Sequence, residues 1–260
     1  MAGLELEGEY SASDNRPQGG EEWSSPWGTP AGLWYCTLLP RLGPYLDVDR
    51  IIELGSGYGR LSNSLSRHAK KELVLVDMID DCVRACQAQF ANNPKVRCVR
   101  NDGRSLNTVR DDSVDLVVSF YSLVGADYHT LTHYVREIAR VLSPDGVAFI
   151  HHSNAGQYRA TGAASPHGSQ MLPPGCRDNS VSADDFSLLV DAHGLMCIRQ
   201  ECVSWGVEGV MSDCFSTIVR VSSKWSCDPE YISNPSFCDE MSRARRMAIG
   251  ARFPVASTLQ

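Results

Sequence analysis

Ile51-Ile-Glu-Leu-Gly-Ser-Gly-Tyr-Gly-Arg60 decides the architecture. Two β-branched residues run into an acid, and three glycines follow at every second position. Beyond them, Arg60-Leu-Ser-Asn-Ser-Leu65 has helical apolar spacing. The stretch predicts a strand, a tight turn and a helix start. Gly55, Gly57 and Gly59 give that turn access to positive φ and keep Cβ atoms away from an approaching ligand. Such turns lie outside the carboxyl ends of parallel strands, where doubly wound sheets bind ligands. The spacing is G-x-G-x-G, unlike the dinucleotide G-x-G-x-x-G, and no G-x-x-x-x-G-K-[ST] phosphate loop is present. Glu53 places negative charge where a pyrophosphate would sit, which favours a cationic or zwitterionic ligand.

Further strand ends follow in the same register. Glu72-Leu-Val-Leu-Val-Asp77 ends in a carboxylate suited to ribose hydroxyls. Val96-Arg-Cys-Val-Arg-Asn-Asp-Gly103 ends in Asp102, suited to accept from an adenine amine. Ser113-Val-Asp-Leu-Val-Val-Ser-Phe120 runs into Tyr121. Asp127 to Leu142 reads as a helix, Ser143-Pro-Asp-Gly146 as a turn and Val147-Ala-Phe-Ile-His-His152 as a fifth strand. Helices are expected at 58–69 and 79–92. Beyond Gly194, 195–205 and 213–222 read as two strands around Gly206-Val-Glu-Gly209.

Taken together, Glu53-Leu-Gly-Ser-Gly-Tyr-Gly59, Asp77, Asn101-Asp-Gly103, Asp115-Leu-Val-Val-Ser-Phe120 and Arg140-Val-Leu-Ser-Pro-Asp-Gly146 resemble the class I S-adenosylmethionine-dependent methyltransferases. The resemblance covers roughly residues 27 to 221. It implies an α/β fold: a Rossmann-like, seven-stranded, mostly parallel sheet with an antiparallel last strand and helices on both faces. It also implies S-adenosyl-L-methionine as cofactor. The cofactor set is then Glu53, Gly55, Ser56, Gly57, Gly59, Arg60, Asp77, Met78, Asp102, Gly103 and Phe120, with Trp27 from a lid. Arg60 holds the methionine carboxylate or makes a surface ion pair. Asn101-Asp-Gly-Arg-Ser-Leu106, Ile150-His-His-Ser-Asn154 and Asp213-Cys-Phe-Ser216 further resemble a bacterial subgroup associated with sugar, polysaccharide and aminoglycoside modification. Many of its members have Asp where this chain has Tyr121.

The chain of 260 residues, 43% apolar and 21% charged, is long enough for one α/β domain. Residues 1–22, rich in Gly, Ser and Glu, read as a mobile tail. Residues 23–222 read as the methyltransferase domain, and 223–260 as an extension with a helix near 237–249 that packs on the core or joins a homodimer. No apolar run has the length of a membrane span, and the N-terminus reads as lacking a secretory signal. Ten cysteines without Cys-x-x-Cys read as reduced thiols of a cytoplasmic protein. A net charge of −7, with Arg243, Arg245 and Arg246 as the one basic cluster, argues against a nucleic-acid partner.

Four large aromatics, Trp23, Trp27, Trp34 and Tyr35, precede the first strand, within a segment whose helix (31–45) Pro40 interrupts. They read either as a helix packed on the sheet edge or as a lid that excludes water from the cofactor. Residues 153–181 form a long Gly/Ser/Pro/His stretch, read as a substrate loop. Ser182-Ala-Asp-Asp185 reads as a helix cap in preference to a metal site. His129 and His133, four apart, read as an exposed helix face in preference to a metal pair, and no metal is expected. His151 and His152 are the expected general bases, one of them facing the pocket because adjacent strand residues point to opposite faces, and the other reading is a core histidine with a satisfied hydrogen bond. Tyr121, Asn154, Trp205 and Asp213 are the expected substrate contacts. The expected acceptor is a sugar-containing small molecule, first an aminoglycoside amine, as in antibiotic biosynthesis, and alternatively a sugar hydroxyl. Glu201, Glu208, Asp178 and Asp213 are then partners for its ammonium groups. Protein or RNA methylation, and cofactor binding without catalysis, are the competing classes.

Overall fold

The computed structural model describes residues 26–161, 177–205 and 209–250. The expected tail, Trp23, Cys176, Glu208, the centre of the substrate loop and the last ten residues lie outside them. Eight strands form one sheet in the order β3-β2-β1-β4-β5-β7-β6-β8. They are β1 (Val48–Leu54), β2 (Ala69–Asp77), β3 (Val96–Arg100), β4 (Val114–Leu123), β5 (Leu142–Ser153), β6 (Leu195–Val203), β7 (Asp213–Arg220) and β8 (Glu230–Asn234). Strands β1 to β5 are mutually parallel, and β7 runs antiparallel to both β5 and β6. The expected doubly wound α/β fold is present, with one strand more than predicted.

The central strands read as near-continuous apolar runs because both faces are covered. One cluster gathers Ile51, Leu73, Leu116 and Phe149, and the other Ile52, Val74, Val117 and Ala148. The helices are α1 (Pro30–Leu33), α2 (Leu39–Leu42), α3 (Ser62–His68), α4 (Asp80–Gln89), α5 (Tyr128–Val141), α6 (Ala183–Asp191) and α7 (Phe237–Gly250). Asp127 caps α5 through Thr130 N at 2.7 Å. Ser182 and Asp185 form a reciprocal capping box on α6, as their spacing predicted. Pro40 does not break the N-terminal helical segment. It sits in the first turn of α2, where a missing N–H costs nothing, just after a π-helical turn at Trp34–Leu38.

The C-terminal extension is part of the core. β8 pairs with β6 in parallel, from Arg199↔Glu230 to Val203↔Asn234. Pro229 and Pro235 bracket this edge strand and suit a border that must not template another chain. Helix α7 packs against the N-terminal helices. Arg41 Nε and Nη2 donate to Glu201 at 2.7 and 2.6 Å, and Nη1 and Nη2 reach Glu240 at 3.0 Å. Thr37 Oγ1 donates to Glu240 at 2.7 Å and accepts from the Trp27 indole at 2.8 Å. Arg41 thus ties three distant stretches of chain together. Glu201 is buried, yet its carboxyl is held below the usual range, because the Arg41 hydrogen bonds and charge outweigh burial.

Among the described residues, nine cysteines are free, and burial pushes the thiols of Cys82, Cys86 and Cys197 up to about 12. No helix among these residues is long and apolar enough to cross a membrane. Replacing Arg41 with Met should strand Glu201 in the interior and cost about 3–5 kcal/mol, and Arg41→Met/Glu201→Met should recover most of it. Denaturant unfolding of both variants measures this. A loss below about 1 kcal/mol in Arg41→Met would contradict the assigned role.

Candidate active site

The carboxyl ends of β1, β2, β3 and β4 meet around the glycine turn. Gly55, Gly57 and Gly59 all adopt positive φ, at 76°, 53° and 80°. Each glycine has its own reason. A Cβ on Gly55 would lie 2.3 Å from Ser122 Cβ, and one on Gly59 would lie 2.6 Å from Gln89 Oε1. A Cβ on Gly57 would meet nothing within 4 Å, so its surface opens to solvent. Asp77 braces this turn: Oδ2 accepts from Gly57 N at 2.7 Å and Oδ1 from Ile79 N at 2.9 Å. Each oxygen keeps a second acceptor site for a ligand hydroxyl. Ser122 Oγ donates to Gly55 O at 2.7 Å and braces the turn from β4.

Beside this edge, Asp102 Oδ1 accepts from Arg104 N and Ser105 N at 2.9 and 2.8 Å. These hydrogen bonds hold its carboxyl below the usual range. Met78 is largely exposed and borders Gly103, where an added Cβ would lie 3.6 Å from its sulfur. A groove of about 450 Å³ runs along the tip of β3, lined by Val76, Asn101, Asp102 and Leu106. Its apolar wall and carboxylate have the character of a purine-base site.

Glu53 lies at the tip of β1, 4% exposed, and accepts from Ser62 Oγ at 2.5 Å. Burial pushes its carboxyl up to about 8, against the opposing effects of Ser62 and Arg60. The carboxyl expected as a fixed negative charge is therefore protonated at neutral pH. Arg60 places its guanidinium 5.8 Å from the Phe120 ring centroid.

The acceptor side of the edge departs from expectation. His151 and His152 are both 0% exposed. His151 Nδ1 accepts the Tyr121 N–H at 3.1 Å, so Nε2 carries the proton and donates to Asp213 Oδ2 at 2.8 Å. His152 Nδ1 donates to Ser153 O, and its Nε2 accepts from Ser216 Oγ, both at 2.8 Å. Its ring stacks on Phe186 at 3.9 Å, and burial pushes its pKa down to about 3. Burial also lowers His151, outweighing Asp213. Neither imidazole keeps a ring nitrogen free for a substrate proton, which corrects the expected general-base role.

Asn154 is also internal: its Oδ1 accepts from Ala183 N at 2.7 Å and its Nδ2 donates to Met211 O at 3.0 Å. Asp213 is fully buried, with Arg177 Nε on Oδ1 and Nη2 on Oδ2, both at 2.8 Å. Asp178 is held by Ser180. Asp213 and Glu201 thus have internal cations where ammonium partners had been expected. Trp27 is 0% exposed and packs edge-on to Phe120 and Trp205, within the core and not above the cofactor edge.

Tyr121 and Trp205 do come together, with rings stacked at 5.1 Å and 26°. Tyr121 has φ of 66°, a conformation that costs a side-chain-bearing residue about 1–2 kcal/mol. Arg177 lies over both rings, at 5.2 and 5.5 Å. Arg177 had no visible role in the sequence, since a single cation in a Gly/Pro-rich stretch does not reveal a carboxylate 36 residues away. His129 and His133 lie on α5 with Nε2 atoms 3.3 Å apart. Among the described residues, no group of three or more His, Cys, Asp or Glu converges on one point.

Residues 51–146 match a family model described as a methyltransferase domain. No curated protein matches the chain significantly. Solved structures share its fold. A S-adenosylmethionine-dependent methyltransferase from Clostridium acetobutylicum ATCC 824 is 14% identical, with a TM-score of 0.55 over 76% of this chain and 92% of that one. The PH0226 protein of Pyrococcus horikoshii OT3 is 20% identical, with a TM-score of 0.54 over 71% and 88%. The cyclase SpnF is 17% identical, with a TM-score of 0.55 over 71% and 81%. At these identities the likeness is one of fold, which hosts more than one chemistry.

Replacing Glu53 with Gln tests the buried acid. Glu53 binds its proton more tightly when folded, so its favourable contribution is complete below the unfolded pKa and is lost as pH rises through about 8. Relative to the parent, Glu53→Gln should gain up to about 1.4 kcal/mol per pH unit across that window and level off above it. Parallel stability profiles from pH 5 to 9 would contradict the burial-raised acid. Residues 51–146 are thus similar to a methyltransferase domain, and the chain around them has the fold of the solved structures above.

Proposed function

We propose that the protein transfers a methyl group from S-adenosylmethionine to an amino group of a sugar-containing small molecule. The single observation that favours an amine is the engagement of both ring nitrogens in His151 and His152. An amine attacks through its own lone pair once unprotonated, whereas a sugar hydroxyl needs a base in reach. The sugar half of the reading rests on the resemblance carried by Ile150-His-His-Ser-Asn154.

When bound, S-adenosylmethionine supplies a methyl group activated by its sulfonium. In this reading Asp77 takes the ribose hydroxyls and Asp102, Gly103 and Met78 frame the adenine. Gly55, Ser56, Gly57 and Gly59 let the methionine portion approach the backbone. Arg60 would hold the methionine carboxylate, and Glu53 would be ionised by the ammonium. Phe120 closes the floor. Tyr121 and Trp205 hold the acceptor, and the chain's contribution to rate is mostly alignment. Because Asp213 and Glu201 already have arginine partners, recognition of ammonium groups is not assigned to them.

Two measurements test this. Asp77→Ala should weaken cofactor binding by about 1–3 kcal/mol in calorimetry, through loss of charged hydrogen bonds. Unchanged affinity in a folded variant would remove Asp77 from the site. Mass spectrometry with labelled cofactor against amino sugars, neutral glycans and small phenols should show transfer to amino sugars. Transfer to neutral glycans alone would replace the amine with a hydroxyl, and transfer to phenols alone would end the sugar reading.

A further inference from the structure

Three features that each cost stability meet at the tip of β4. Tyr121 holds a left-handed backbone at φ 66°. Asp213 and Arg177 form an ion pair whose side chains are 0% and 3% exposed. His151 is a fully buried imidazole. A hydrophobic replacement of a buried ion pair is often neutral or stabilising, so such a pair is weak evidence for a stability role. Costs that gather at one corner of a ligand edge point to function.

The contacts run in one direction. Arg177 grips both oxygens of Asp213, and Asp213 Oδ2 receives the Nε2 proton of His151. That fixes the tautomer and leaves His151 Nδ1 as an acceptor for the Tyr121 N–H. With its N–H held there, Tyr121 turns the chain so that Ser122 Oγ lies 2.7 Å from Gly55 O. Ser122 also fills the volume a Cβ on Gly55 would need. The chain of contacts therefore ends on the glycine turn.

We propose that Arg177, Asp213 and His151 form a positioning relay that holds Tyr121 in its left-handed conformation and, through Ser122, sets the glycine turn for the cofactor. The proposal rests on the reading of that turn as the cofactor site. His151 is then a positioning residue, not a base.

Calorimetry with S-adenosylhomocysteine tests this without an acceptor. Binding should weaken about tenfold in His151→Leu, which removes the acceptor for the Tyr121 N–H. His151→Asn places an amide oxygen near the Nδ1 position and should restore affinity to within about twofold of the parent. The specific test is a double-mutant cycle with Tyr121→Gly. Glycine adopts positive φ without help, so His151→Leu should cost little affinity in that background. A purely structural role would lower melting temperature equally in both backgrounds and leave affinity unchanged. Parent-like affinity in folded His151→Leu, or an equal loss in the Tyr121→Gly background, would overturn the relay. If His151→Leu does not fold, Asp213→Asn carries the same comparison with the same criteria. Failure of the parent protein itself to bind S-adenosylhomocysteine would overturn the cofactor reading, and the relay's purpose with it.

Discussion

The glycine turn after β1 can hold its shape only because it is braced from two sides. Asp77 receives the Gly57 N–H from one neighbouring strand, and Ser122 donates to Gly55 O from the other. Parallel order places β2 and β4 on either side of β1, so the two braces come from strand ends. Three alternate positive-φ glycines would otherwise sample many conformations at a large entropic cost. The same braces leave the Gly57 surface open.

The periphery is built to keep that edge rigid. Arg41 joins β6, α7 and the N-terminal helices through two carboxylates. Trp27, Phe120, Trp205 and Phe237 pack edge-on or stacked beneath the acceptor side. The buried Asp213 is matched by Arg177. Burial raises the Glu53 carboxyl despite the opposing effect of Arg60, which leaves it responsive to a ligand charge.

What the sequence revealed follows from distance along the chain. Gly55, Asp77 and Asp102 were legible because each is announced by its own strand, and strand ends in a parallel sheet converge. The Ser182 cap was legible because its partner Asp185 is three residues away. β8 was missed because five residues between prolines carry too short an alternation to register as a strand. The histidines were misread for a different reason. Alternation says that His151 and His152 face opposite sides, but their nitrogens are taken by Asp213 and Ser216, more than 60 residues away. Glu201 and Asp213 looked like free acids for the same reason, since Arg41 and Arg177 reach them only through the fold.

The central claim is that the braced turn and the β3 groove together hold S-adenosylmethionine. A crystal structure of the complex with S-adenosylhomocysteine tests it most directly. The account predicts ribose hydroxyls on Asp77, the adenine in the groove beside Asp102 and Met78, and the amino-acid portion over Gly55 and Gly57, with the Ser122–Gly55 brace retained. A ligand bound elsewhere, with Asp77 bonded to backbone N–H groups alone, would contradict it.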